Sequence, residues 1–232
     1  MRRNSPADAA DPPRRTGNRT MTKRVDFFYG IGSRYSFLAS TRMDALENET
    51  GCTVAWRPLF SGALMARRGM DPFRQDAPPS GQYDWRYRRY DAECWAAYYG
   101  LPYLEPADGI KEYAFYGKAC VAAGRLDACA AFSKALFAAI FTEGRDGISR
   151  SDIAVIADGI GLDGKTLVAL AEEPETEQQH ERNVDDALAA GAFGVPTFVS
   201  DGRMFWGNDR LPLLKDFLTR DDPDAYPRRD GC

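Results

Sequence analysis

The sequence predicts an α/β domain interrupted by a large all-helical insertion, and three observations predict it. Short runs with β preference lie only towards the two ends, at 25–29, 52–59, 196–200 and 204–206. The first two are joined by one helical stretch, so strand, helix and strand follow within about 35 residues as a βαβ unit, which is right-handed in nearly all folds. Between 61 and 190 the β-branched runs give way to helical periodicity.

In chain order, Val25-Asp-Phe-Phe-Tyr29 is the first strand and ends in Gly30-Ile-Gly32-Ser33. Tyr35, Phe37, Leu38, Met43 and Leu46 then fall on one face of a single helix ending near Gly51, with Ser33 at its N-cap. Cys52 opens the second strand. The stretch 67–81, with Pro72, Pro78, Pro79 and two glycines, reads as a loop bordering a site. Helices follow at 83–99, 110–123, 127–142, 152–160, 165–172 and 175–190, with Ser149 and Asp163 as starts. Asp201-Gly202 between two apolar runs marks a hairpin. Asn208 is expected to cap a last helix at 211–218, with Pro212 in its first turn. The domain limits are therefore a disordered tail at 1–21, a split α/β domain at 22–60 and 191–220, a helical insertion at 61–190 and a loose tail at 221–232.

Composition narrows the function. Residues 1–24 hold seven Lys/Arg against Asp8 and Asp11, leaving 23 basic against 32 acidic residues in the rest of the chain. An acidic body argues against nucleic acid, whose phosphates need a basic surface. The longest wholly apolar run, 135–141, is far short of the roughly 20 residues of a membrane helix. Five cysteines form no CxxC, and the chain has one histidine, His180, so metal sites and Cys/His or Ser/His nucleophile pairs have little to work with. An odd cysteine count with no secretory signal suits a reducing cytoplasm. Cys129, at helical spacing from Phe132, Leu136 and Ile140, reads as core filler.

Three features carry candidate chemistry, each with a plainer reading beside it. Gly30-Ile-Gly32-Ser33-Arg34-Tyr35-Ser36 fails as a dinucleotide fingerprint because Tyr35 stands at the third glycine position. It serves as an ordinary cap or as an anion site in which the Ser33 hydroxyl stabilises a thiolate. Pro196 before a strand is either an edge-strand proline or a cis proline that turns the Val195 backbone outward to pair with a ligand backbone. Trp206-Gly207-Asn208-Asp209 opens a helix, and Asn208 and Asp209 either cap it or hold a ligand's ammonium and carboxylate.

Together, S-x-x-S at the first helix, the helical insertion, Gly191 to Phe198 reading G-A-F-G-V-P-T-F, and M-F-W-G-N-D-R ending at Arg210 resemble the 2-hydroxychromene-2-carboxylate isomerases and kappa-class glutathione transferases. These are thioredoxin-fold relatives of the bacterial disulfide-bond oxidoreductases. The resemblance runs from Val25 to Leu218 and includes Tyr99-Gly-Leu-Pro102 and Phe141-Thr-Glu-Gly-Arg-Asp146. It implies a thioredoxin-like fold, glutathione as cofactor, a small aromatic acid as substrate and a homodimer. Ser33 would hydrogen-bond the glutathione thiolate, Val195 before a cis Pro196 would pair with the cysteinyl backbone, and Trp206, Gly207, Asn208 and Asp209 would surround the γ-glutamyl end. The implied reaction is reversible addition of the thiolate to the conjugated double bond of an aromatic hydroxy acid, bond rotation and elimination.

Arg67, Arg68 and Tyr98 are candidate substrate contacts, with a solvated basic loop and ordinary aromatic packing as their plainer reading. The sequence departs from the family at Arg34, where many relatives have proline, at Met70, where an asparagine is usual, and at Asp84, near a usual lysine that Arg86 is placed to replace. Ser33 and Ser36 fill both positions of the oxidoreductases' cysteine pair, against a disulfide oxidoreductase. A kappa-like transferase and a non-catalytic binding member with an altered thiol site stay open as alternatives.

Overall fold

A computed structural model describes residues 23–69, 84–107 and 112–227. The expectations for the 1–21 tail, for Met70 and for most of the 67–81 loop lie outside the described residues. The elements are β1 (Arg24–Tyr29), α1 (Arg34–Ser40), α2 (Met43–Thr50), β2 (Thr53–Pro58), α3 (Ser61–Arg67), α4 (Trp85–Tyr99), α5 (Tyr113–Gly124), α6 (Cys129–Phe141), α7 (Arg150–Asp158), α8 (Gly164–Ala171), α9 (Pro174–Ala189), β3 (Thr197–Ser200), β4 (Arg203–Trp206) and α10 (Leu211–Thr219). The strands form one sheet in the order β2-β1-β3-β4. β1 and β2 are parallel, while β3 runs antiparallel to both β1 and β4. This is the thioredoxin-like arrangement, with the helical block inserted between β2 and β3.

The alternation of β1 explains why the sheet is covered on both sides. Val25, Phe27 and Tyr29 face a large apolar cluster with α1, α2, α5, α6 and α10, whereas Phe28 faces a smaller one made with Leu59, Leu64 of α3 and Val184 and Ala187 of α9. Phe27 stacks on its cross-strand partner Phe198 with centroids 5.1 Å apart, and the Tyr29 hydroxyl bonds Ser133 of α6 at 2.6 Å. The insertion thus has no separate core: its helices finish both faces of the sheet. Burial pushes the Cys129 thiol upward, as it does Cys120, but only Cys120 lies in the core: Cys129 is half-buried at its edge, with its Sγ 3.5 Å from the Tyr29 hydroxyl, so the core-filler reading holds only in part. Among the described residues no helix is long and apolar enough to cross a membrane.

Several local expectations need correction. The single helix after β1 is two, because Ser40 and Thr41 hydroxyls bond back to the carbonyls of Phe37 and Leu38 and the chain turns at Arg42. α3, seven residues long, is too short for a helical period to declare itself in the sequence, yet it buries Leu64. Asn208 does not cap the last helix: residues 208–210 form a 3₁₀ turn, and Arg210 precedes α10 with no side-chain cap. The segment after Arg220 is not loose as far as Pro227. Tyr226 packs on Phe205 and Phe217, and buried Arg203 bonds Asp224 and the Tyr226 carbonyl. Ser149 with Asp152 forms the expected capping box, Asp163 caps α8, and Asp201 and Gly202 both take positive φ in the hairpin turn.

The tightest backbone approach is Gly164, buried at the start of α8. A Cβ there would overlap the Ala154 carbonyl of α7, 2.6 Å from its carbon and 2.7 Å from the Ala154 Cα. Backbone cannot swing aside as a side chain can. Gly164→Ala is therefore expected to cost about 3 kcal/mol, read as a lower urea midpoint at unchanged m-value; a midpoint like that of wild type would mean that α7 and α8 slide apart freely.

Candidate functional site

The end of β1 and the start of α1 build the centre of the site. Ser33 takes an extended backbone (φ −98°, ψ 117°), and its Oγ accepts the Ser36 N–H at 3.2 Å. That bond uses one lone pair and leaves the hydroxyl proton to be donated elsewhere. Ser36 is buried and its own Oγ accepts the Gly30 N–H, so the second hydroxyl of S-x-x-S tightens the turn from inside. Arg34, in place of the usual proline, ion-pairs with Glu105 beyond α4.

Val195 stands against this turn. A Cβ on Gly30 would lie 3.5 Å from Val195 Cγ2 and 3.5 Å from Ser61 Oγ, which puts the β1 end, the start of α3 and the 193–196 loop together. The Val195–Pro196 peptide is cis. β3 is internal, between β1 and β4, so the edge-strand reading of Pro196 is wrong. Pro196 escapes the conflict because it precedes the paired residues and contributes only its carbonyl, which accepts the Gly207 N–H at 2.9 Å. Among the described residues neither the amide nor the carbonyl of Val195 makes a hydrogen bond. Trp206 roofs this loop: its ring lies 4.7 Å from that of Phe193, and a Cβ on Gly194 would come 2.8 Å from its Nε1.

Gly207, at φ 107°, turns the chain into the Asn208–Arg210 turn, which packs on α1. Asn208 is 2% exposed, and its Nδ2 has no hydrogen-bond partner although the side chain faces the Tyr99 phenol. Burial raises the Tyr99 pKa, and the Asn208 amide opposes that rise. Among the described residues Asp209 ion-pairs with its neighbour Arg210, both side chains being about half exposed. The Ser33 turn, the 193–196 loop and the Trp206–Asp209 segment are thus neighbours: Gly30 meets Val195, Trp206 covers Phe193 and Gly194, and the 208–210 turn packs on α1.

The other candidates scatter. Arg67 is tied to Glu181 and Asp185 of α9. Arg68 reaches the Ala192 carbonyl at 3.4 Å and so borders the cis-proline loop. Tyr98, 79% exposed, belongs to a different cleft, with Trp95 and Tyr99. Asp84 caps α4 by accepting the amides of Arg86 and Tyr87, so it has a structural task whatever else it does. Two further aromatic residues border the Ser33 turn without a local signal in the sequence. The Tyr113 ring, at the start of α5, occupies the space a Cβ on Gly32 would need, and it stacks on Phe60. The glycine at 32 was their only trace in the sequence.

Glu177, His180 and Glu181 of α9 bring donor atoms within 4.8 Å of one another. Glu177 is already paired with Lys118 at 2.6 Å and Glu181 with Arg67, so a cation there would have to displace two ion pairs.

Residues 24–219 match the DSBA-like thioredoxin domain. The chain is 30% identical over 201 residues to a 2-hydroxychromene-2-carboxylate isomerase of Sphingobium xenophagum, covering 85% of this chain and 99% of the relative. It is 25% identical to one of Pseudomonas putida, covering 84% and 94%. A solved structure of 2-hydroxychromene-2-carboxylate isomerase superposes with a TM-score of 0.72 at 25% identity, covering 88% of this chain and 99% of that one. The chain belongs to the DSBA-like thioredoxin-domain family, alongside its 2-hydroxychromene-2-carboxylate isomerase relatives.

Proposed function

We propose that the protein is a glutathione-dependent isomerase of an aromatic hydroxy acid, working in a reducing cytoplasm. The observation that carries this reading is the pairing of a Ser33 hydroxyl whose proton remains available with a neighbouring Val195 backbone that makes no hydrogen bond of its own. A peptide thiol fits both at once. Its backbone would add to Val195 as a short antiparallel strand while its sulfur meets Ser33. The half-exposed Asp209 carboxylate would offer an acceptor to the peptide's ammonium group, and Asn208, buried against the Tyr99 phenol, would hold the turn that presents it. The names of the relatives supply the reaction class.

When bound, glutathione supplies a thiolate nucleophile that adds reversibly to the conjugated double bond. This chain's part is to lower the cost of that charge. Ser33 would donate a hydrogen bond from its hydroxyl to the sulfur, and the cap bond from Ser36 holds the hydroxyl in place before any ligand arrives. The rings of Tyr113, Phe60 and Trp206 shield the flanks of the turn and the loop from water, which strengthens that hydrogen bond. A disulfide exchange is disfavoured because neither position of S-x-x-S can form a mixed disulfide.

The test follows the absorbance of 2-hydroxychromene-2-carboxylate with purified protein, with and without millimolar glutathione. Equilibration with the open-chain isomer is expected only when both are present. No isomerisation with glutathione would overturn the enzyme reading, and equal rates without it would overturn the thiol. S-methylglutathione, which cannot form a thiolate, is expected to bind and inhibit.

A further inference from the structure

A cleft of about 890 Å3 opens between α2, α4 and the start of α10, and no residue of the Ser33 turn, the Val195 loop or Trp206 lines it. One wall is the aromatic end of α4. Trp95, Tyr98 and Tyr99 lie with ring centroids 5.4–5.7 Å apart, and Leu46, Leu211 and Pro212 line the cleft with them. Tyr98 stands 79% exposed at its edge, touching Trp95 and Tyr99 with one side of its ring and leaving the rest to solvent.

The charges in the cleft are unequal. Lys215 is matched by Glu49 at 2.6 Å, and the Glu49 carboxyl is held down chiefly by that lysine and only weakly by Arg42. Arg42 has no ion pair among the described residues. Its guanidinium lies 5.1 Å from the Tyr99 ring centre, half-buried. A cation placed over an aromatic ring at a concave apolar wall, and in no ion pair among the described residues, matches a ligand that brings both a ring and an anion. The volume is in the range of small-molecule sites.

We propose that this cleft is a second ligand site, selective for a planar aromatic carboxylate whose acid group pairs with Arg42 and whose ring stacks beside Tyr98 and Trp95. It is separate from the thiol site. Tyr99, which forms part of its wall, also faces Asn208, so an occupant would lie one side chain away from the Asn208–Arg210 turn.

Cys94 lines the cleft and is exposed, while Cys52 and Cys120 are buried, so its alkylation reports on occupancy. The experiment treats the full chain with iodoacetamide, without glutathione, and follows the Cys94 peptide by mass spectrometry against 2-naphthoate concentration. Saturable protection of at least fivefold is expected with 2-naphthoate and little with neutral 2-naphthalenemethanol. Arg42→Gln is expected to weaken protection at least tenfold. Tyr98→Ala, at a position too exposed to disturb folding, is expected to weaken it severalfold. No protection at millimolar 2-naphthoate, equal protection by the alcohol, or Tyr98→Ala indistinguishable from wild type would each overturn the proposal. Because glutathione is absent, failure here is distinct from failure of the isomerase reading.

Discussion

Ser33→Ala is expected to lower kcat at neutral pH by about a hundredfold, in line with removal of one preorganised donor from a developing or resident anion. The bound thiol pKa should rise with it, because a hydrogen bond to the charged form is what holds that pKa down. The sign follows directly: the thiolate is the active form, so the ascending limb of the pH-rate profile moves to higher pH and part of the loss returns in alkaline buffer. Ser33 also caps α1, and losing a cap costs about 1 kcal/mol of stability. Ser33→Thr separates the two roles, since it keeps a hydroxyl for both and should retain most of the rate and the original pH limb. A Ser33→Ala enzyme with an unmoved limb would mean that Ser33 is only a cap.

How much of this was legible in the sequence depended on how far apart the interacting residues lie. Caps are local, so Ser33, Ser149 and Asp163 were readable from residues three positions away. The Asp201-Gly202 turn was equally local. The position of β3 was not, because an internal and an edge strand of four residues look alike until β1 is known to pair with it from 170 residues away. Tyr113 meets Gly32 across 81 positions, and Arg67 finds its acidic partners only when α9 folds back on α3. The break at Arg42 shows the opposite failure. The apolar spacing from Tyr35 to Leu46 is helical throughout, and two hydroxyls bonding back to carbonyls still ended the first helix. That break matters because it delivers Arg42 to the second cleft.

The pH dependence of stability should be set, in one window, by His180, the chain's only histidine. It is 1% exposed, its Nε2 has no hydrogen-bond partner, and Gly117 of α5 lies so close that a Cβ there would overlap that nitrogen. Burial lowers its pKa from 6.5 to about 4, with Glu177 opposing the shift and Lys118 adding to it. The unfolded chain therefore binds a proton near pH 6.5 that the folded chain refuses until about pH 4, so stability rises with pH across that interval. The His180 contribution is fully present above about pH 6.5 and falls by roughly 3 kcal/mol towards pH 4, at 1.36 kcal/mol per unit. Carboxylates whose pKa is held down by hydrogen bonds and ion pairs in the fold, such as Asp152 and Asp216, lose their own contribution mainly at the acid end, so the decisive comparison is the upper part of the window. Urea unfolding at pH 7, 6 and 5 should show wild type losing stability where His180→Gln stays nearly level. Parallel slopes for the two proteins would mean that water or a rearranged α9 lets the imidazole take up its proton in place.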